Sequence, residues 1–186
     1  MYKWLFAAFI GLPSLAALAV EPQPLQVQQS DVEHRLRDYF FDASRRGDQA
    51  MLNEFIQAGY PLDTRDEKGY TGLILAAYHG QRDAVEQLLA AGADACAQDR
   101  RGNTALMGAI FKGELQIARR LLDAKCNPDQ RNASGQTAAM YAALFQRTAL
   151  LDTLKAQGAD LEAKDAMGNS VQSLRQGEVI GTAAPH

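Results

Sequence analysis

The sequence is poor in the residues that build reactive centres. Its three histidines, His34, His79 and His186, lie far apart in a chain of 186 residues, and only two cysteines, Cys96 and Cys126, accompany them. That spacing assembles no metal site, so neither metal nor other cofactor is expected. G-x-S-x-G, Walker and G-x-G-x-x-G patterns are also missing, which removes the usual hydrolase, nucleotide and dinucleotide signatures. The chain therefore reads as non-enzymatic. Charge of one sign is missing too: 19 Lys+Arg against 22 Asp+Glu leave a net of −3, with no basic footprint for nucleic acid. Disorder as the main state is excluded by a hydrophobic content of 47%.

Long apolar runs are scarce. The run at residues 4–20 is broken by Gly11 and Pro13, and its length sits at the lower edge of a bilayer span. Lys3 ahead of apolar residues 5–12, with Ala17-Leu18-Ala19 after the break, has the order of a secretory signal with a small-x-small cleavage site. Residues 1–19 are read as a signal peptide and the location as periplasmic. A membrane association is expected only if that segment stays uncleaved. Residues 20–30, rich in Pro and Gln, read as a disordered leader.

What is present is a period. Asp66, Asp99, Asn132 and Asp165 recur every 33 residues, as do Gly69, Gly102, Gly135 and Gly168, and Thr71, Thr104, Thr137 and Ser170. A fixed period without insertions marks supersecondary blocks stacked on one another. Asp and Gly ahead of Thr make a turn and a helix N-cap. A short alanine-rich helix over residues 73–78 follows, closed by Gly80, then an amphipathic helix over residues 82–91 with Val85, Leu88 and Leu89 on one face. Gly92 suits a left-handed cap before an extended finger.

This block resembles the ankyrin repeat, whose Thr-Pro-Leu-His core is replaced here by Thr71-Gly72-Leu73-Ile74 and its two successors. The resemblance implies an all-α solenoid over residues 31–176. Its parts are an N-terminal capping repeat at 31–65, repeats at 66–98, 99–131 and 132–164, and a C-terminal cap at 165–176, followed by a flexible tail at 177–186. In the first unit Ser30 and Glu33 form a capping-box pattern. The helix so begun would place Val32, Leu36, Tyr39, Phe40 and Ala43 along its apolar positions and His34, Arg35, Arg37 and Asp38 on a polar outer face.

Two positions stand out within the pattern. Lys125 occupies the place of Gly92 and Gly158, where a left-handed non-glycine costs about 1 kcal/mol. Cys96 lies four residues past Gly92, whereas Cys126 lies one past Lys125. Export would permit a disulfide, but this difference in register favours two thiols.

Protein binding on one concave face, formed by finger tips and first helices, is what the resemblance implies. The helix columns are Tyr78, Phe111, Leu144 and His79, Lys112, Phe145, and the first is a continuous apolar and aromatic stripe, read either as a binding stripe or as core under the fingers. The candidate binding residues are Tyr70, Tyr78, Arg101, Phe111 and Phe145. A monomer with a protein partner is expected. Small exported members of this family include catalase-associated proteins, so the resemblance implies catalase as a partner and a role in peroxide tolerance. The alternatives are an inhibitor or immunity protein that blocks a toxin or enzyme, and a membrane-anchored structural protein. Processing is directly testable: intact-mass analysis of exported protein should show a chain beginning at Val20, and retention of Met1 would remove the cleaved-signal reading.

Overall fold

The computed structural model describes residues 26–180, so the expected signal peptide and the last six residues of the tail, 181–186, lie outside the described residues. Within them the chain is helical, and the extended pairing is confined to an isolated bridge between Gln98 and Thr104.

Each repeat starts from a side-chain oxygen. Asp66 Oδ1 accepts from the backbone N–H groups of Lys68 and Tyr70, both at 2.8 Å. Asp99 does the same for Arg101 and Asn103 at 2.8 Å, Asn132 for Ser134 and Gln136 at 3.0 and 2.9 Å, and Asp165 for Met167 and Asn169 at 2.9 and 2.8 Å. This clamp folds the chain into a tight turn that requires φ of 74° to 88° at Gly69, Gly102, Gly135 and Gly168. Glycine is needed for room as well, since a Cβ on Gly69 would lie 2.7 Å from the Arg100 nitrogen of the next finger. Burial alone would raise the Asp165 carboxyl, yet hydrogen bonds from the Asn169 side chain and from backbone N–H groups outweigh it and hold the group below its ordinary value.

The turn hands the chain to a capped helix. Thr71, Thr104 and Thr137 accept from the N–H groups of Ile74, Met107 and Met140, each at 3.3 Å, and Ser170 closes a full capping box with Ser173. The inner helices are α1 (Gln26–Arg46), α3 (Gly72–Tyr78), α5 (Ala105–Lys112), α7 (Ala138–Leu144) and α9 (Val171–Arg175). The outer helices are α2 (Gln49–Gln57), α4 (Arg82–Ala90), α6 (Leu115–Leu122) and α8 (Thr148–Ala156). Inner helices pack on inner, outer on outer, and each pair on itself. The core is a strip between the two layers, with Leu52, Leu73, Leu88, Ile110, Met140 and Leu154 inside it. Small residues such as Ala76, Ala77, Ala109, Ala142 and Ala143 let the layers approach.

The ends differ from expectation. Helix α1 begins at Gln26, inside the segment read as an irregular leader, and runs through Ser30 instead of being capped there. Nothing between residues 26 and 46 breaks a helix, as the stretch has neither proline nor glycine. From residue 29 onward its buried apolar residues are Phe40, Phe41 and Ala43, while Val32, Leu36 and Tyr39 face solvent beside the polar residues. The expected flexible tail is docked as far as residue 180: Ile180 donates its N–H to Asn169 Oδ1 at 2.6 Å, and Val179 packs on the core. Lys125 is left-handed at φ 53°, and Gln146 joins it at φ 56° in the place of Gly80 and Gly113.

Adjacent fingers are stitched at repeating points. Arg100, Ala133 and Ala166 donate their N–H groups to the carbonyls of Lys68, Arg101 and Ser134 at 3.0, 2.7 and 2.9 Å. Gln98 reaches the Arg131 carbonyl at 2.8 Å and Arg131 the Lys164 carbonyl at 2.7 Å, and Arg65 bonds the Gln98 carbonyl in the same way. A third stitch uses a carboxylate: Asp63 accepts from the Asp94 N–H at 2.9 Å, and Asp129 from the Asp160 N–H at 2.8 Å.

At the middle junction this third stitch is covalent. Cys96 stands where Asp63 and Asp129 stand, Cys126 stands where Ala93 and Ala159 stand, and the two form a disulfide with Cα atoms 5.5 Å apart. The expectation of two thiols is thereby corrected. It compared equal positions along two fingers, but the fingers are staggered where short groups meet: the backbone and carboxylate stitches join residues 32 and 31 apart, such as Lys68 to Arg100 and Asp63 to Asp94, and the cysteines are 30 apart. Only the longer Arg and Gln side chains span the full 33. The same junction has deficits elsewhere. Tyr60, Ala93 and Ala159 each bond back to the carbonyl five residues earlier, whereas among the described residues Cys126 makes no such bond to Leu121. A void of about 30 Å³ lies beside Cys126, Leu121 and Leu154.

Closing a loop of this length stabilises by about 3–4 kcal/mol in the chain-entropy description. Reduction by a dithiol should therefore lower the melting temperature markedly. The double variant Cys96→Asp with Cys126→Ala, which restores the residues of the flanking junctions, should melt above the reduced protein under reducing conditions. Equal melting of the two would show that a carboxylate does not stitch this junction.

Candidate functional site

The fixed period sets side chains of successive inner helices in rows. Tyr78, Phe111 and Leu144 lie in the last turns of α3, α5 and α7, and their exposures of 39%, 46% and 38% keep them out of the core. The rings run on from one repeat to the next. Tyr78 and Phe111 stack with centroids 6.1 Å apart and planes 10° apart, Phe111 meets Phe145 edge-on at 5.3 Å, and Phe145 meets Tyr141 at 6.1 Å. Lys112 places its Nζ 5.1 Å from the Tyr78 centroid, a cation on a ring face.

Of the residues read from sequence, Tyr70, Tyr78, Arg101 and Phe111 border one hollow of about 210 Å³ between the fingers and the inner helices. Phe145 is not on its wall but is joined to it through Phe111. Tyr70 is half-buried, packed partly on the core, and Arg101 is exposed on the finger tip. A larger hollow of about 720 Å³ continues the face toward α1, bordered by Arg37, Asp42, Arg45, Glu67 and Lys68, and shares Tyr70, Ile74 and Tyr78 with the first.

Tyr141, Asn103 and Gly108, which also line the smaller hollow, were not among the candidate binding residues. Tyr141 sits in the column of Leu75 and Gly108, a column hidden behind the more conspicuous row of helix ends. Its hydroxyl donates to Asn103 Oδ1 at 3.2 Å and accepts from Asn132 Nδ2 at 3.3 Å. Burial pushes this phenol above its ordinary value, the Asn132 hydrogen bond opposes that, and the Asp99 charge adds to it. Asn103, on the finger, ties the phenol to Asp99 through its own amide at 3.3 Å. Gly108 supplies the space. It was legible in principle, as a glycine inside an otherwise helical run.

No group of His, Cys, Asp and Glu able to hold a metal occurs among the described residues. No helix among them is long and apolar enough to cross a membrane. The surface offers aromatic faces, two cations and short amide side chains, a set suited to holding another chain rather than to bond chemistry.

Comparison with known sequences agrees with the geometry. The family described as ankyrin repeats (3 copies) matches residues 40–132 and again 73–165. A Pseudomonas aeruginosa protein named for its ankyrin repeats is 38% identical over 65 residues, covering 34% of this chain and 36% of that protein. The match thus spans about a third of the length of that curated relative.

The helical glycine gives a direct test of the local structure. A Cβ on Gly108 would meet nothing closer than Tyr78 Cδ2, at an ordinary 3.7 Å. Gly108→Ala should therefore stabilise by about 0.5–1 kcal/mol through helix propensity alone, read as a higher melting temperature. A lower one would mean that the space above α5 is filled.

Proposed function

The chain belongs to the ankyrin-repeat family, and from that premise we propose that it is an exported, non-catalytic module that docks a protein partner on its concave face. The observation that carries this reading is the ladder of rings spanning three inner helices, with Tyr78 and Phe111 exposed and Phe145 and Tyr141 half-buried beside them. Folding alone gives little reason to hold Tyr78 and Phe111 more than a third exposed. Aromatic anchors of this kind dominate interface energetics.

Export to the periplasm is supported by the signal-like order of residues 1–19 and by the Cys96–Cys126 disulfide, which persists in an oxidising compartment. The narrower role, support of catalase and of peroxide resistance, follows from the resemblance to small exported family members. It is read out by binding of purified catalase to the immobilised chain.

The face is tested by substitution. Phe111→Ala and Arg101→Ala should each weaken partner binding by about 2 kcal/mol or more, while the melting temperature stays close to that of the unaltered protein. Arg119→Ala, exposed on outer helix α6, should leave binding unchanged. The reverse pattern, loss with Arg119→Ala only, would place the partner on the convex side.

A further inference from the structure

Resting on the concave-face reading, we propose that the hollow above Gly108 is a pocket for one bulky apolar side chain, presented by an extended segment of the partner with carboxylates beside that anchor. The first ground is the gap itself. Leu75, Gly108 and Tyr141 occupy equivalent positions of successive inner helices, and at Gly108 the side chain is missing. The backbone does not demand this glycine: it lies inside α5 and is not among the positive-φ residues, unlike the turn glycines. An added Cβ would find only Tyr78 atoms, at 3.7 and 3.9 Å.

The second ground is size and lining. The gap opens a hollow of about 210 Å³, below the range of small-molecule sites and suited to a single side chain. Tyr70, Tyr78, Phe111 and Tyr141 wall it, and the buried Ile74 and Met107 floor it. A socket walled by rings in this way is where an interface anchor seats once the partner excludes water.

The third ground is charge. Asp99 borders the hollow, but its carboxylate is taken by the N–H groups of Arg101 and Asn103 and by the Asn103 amide. Arg101 is exposed at the mouth, and Lys112 lies over the Tyr78 ring. Among the described residues neither is in a salt bridge. Asp99 keeps its charge but is buried, so the charge exposed at the rim is positive, and a carboxylate beside the anchor complements it. An extended segment fits because the smaller hollow opens into the larger one through Tyr70, Ile74 and Tyr78.

The test uses the full chain and a phage-displayed library of random peptides of about twelve residues. Selection should enrich peptides with one bulky apolar residue flanked by Asp or Glu. A synthetic copy of the best peptide, followed by fluorescence anisotropy, should lose about 10-fold or more in affinity with Gly108→Leu, with the melting temperature unreduced. Gly108→Ala, a smaller filling, should cost about 3-fold and serves if the leucine variant does not fold. Arg101→Glu should also lose about 10-fold, with Arg101→Lys restoring most of it and added salt weakening the unaltered complex. Enrichment of basic peptides, of none, or of peptides indifferent to Gly108 substitution would overturn the pocket. Affinity kept in the Gly108 variants but lost with Phe111→Ala would remove the pocket and leave the concave face standing. Affinity kept in all of these and lost with Arg119→Ala would remove both.

Discussion

Two hydrogen bonds to one oxygen set the geometry of this protein. The Oδ1 atom of Asp66, and of Asp99, Asn132 and Asp165 after it, gathers the N–H groups two and four residues on. That clamp fixes where the finger turns back, which fixes where Thr71 and its equivalents cap the next helix. With the helix start fixed, its apolar face meets its neighbours in the same way in every repeat. No residue of one end needs to touch the other, so stability is the sum of such units and of the joints between them. Asn132 shows that the clamp needs an acceptor rather than a charge, since its amide oxygen does the same work.

The joints are not equal. The outer two are closed by a carboxylate on a backbone N–H, at Asp63 and at Asp129, and the middle one by the Cys96–Cys126 bond. That is also the joint with the left-handed Lys125, the missing Cys126 to Leu121 bond and a small void. In a solenoid a weak joint is not rescued by distant contacts, because each unit touches only its neighbours. The covalent link sits at the joint that carries these features, and it stabilises by constraining the unfolded chain. A second place in the stack, Gln146, carries the same kind of left-handed strain without such a link.

Much of this was written in the period of the sequence. The repeat length, the turn glycines, the threonine caps and the burial of Leu88 follow from residue types at fixed spacing, because one local rule applies in each copy. What escaped was relational. The disulfide was misjudged because equal sequence position was equated with spatial adjacency, whereas stacking staggers one finger against the next by one to three residues relative to the period. The start of α1 was misjudged because a capping box at Ser30 competes with helix continuing upstream, and local signals do not say which prevails. Of the aromatic row, Tyr78 and Phe111 were legible in one periodic column and Phe145 in the column beside it, but Tyr141 became visible only through its bonds to Asn103 and Asn132.

Gly108 shows why fold and surface can be separated in such a chain. The core strip is satisfied by alanines and leucines on one side of α5, and its clamp by Asp99. In the finger-side column Leu75 still belongs to the core and Tyr141 packs on it, but neither demand reaches Gly108, where an added Cβ would meet only Tyr78. A glycine there forfeits helix propensity of about 0.5–1 kcal/mol, a loss the neighbouring joints absorb because each contributes independently. The same independence lets Tyr78 and Phe111 remain exposed without loosening the layers beneath them, since Leu73, Ala77, Ala109 and Ile110 already fill that space. The repeat thus holds a surface whose composition is set by something other than stability, and rings, a gap and two cations are what has been placed on it.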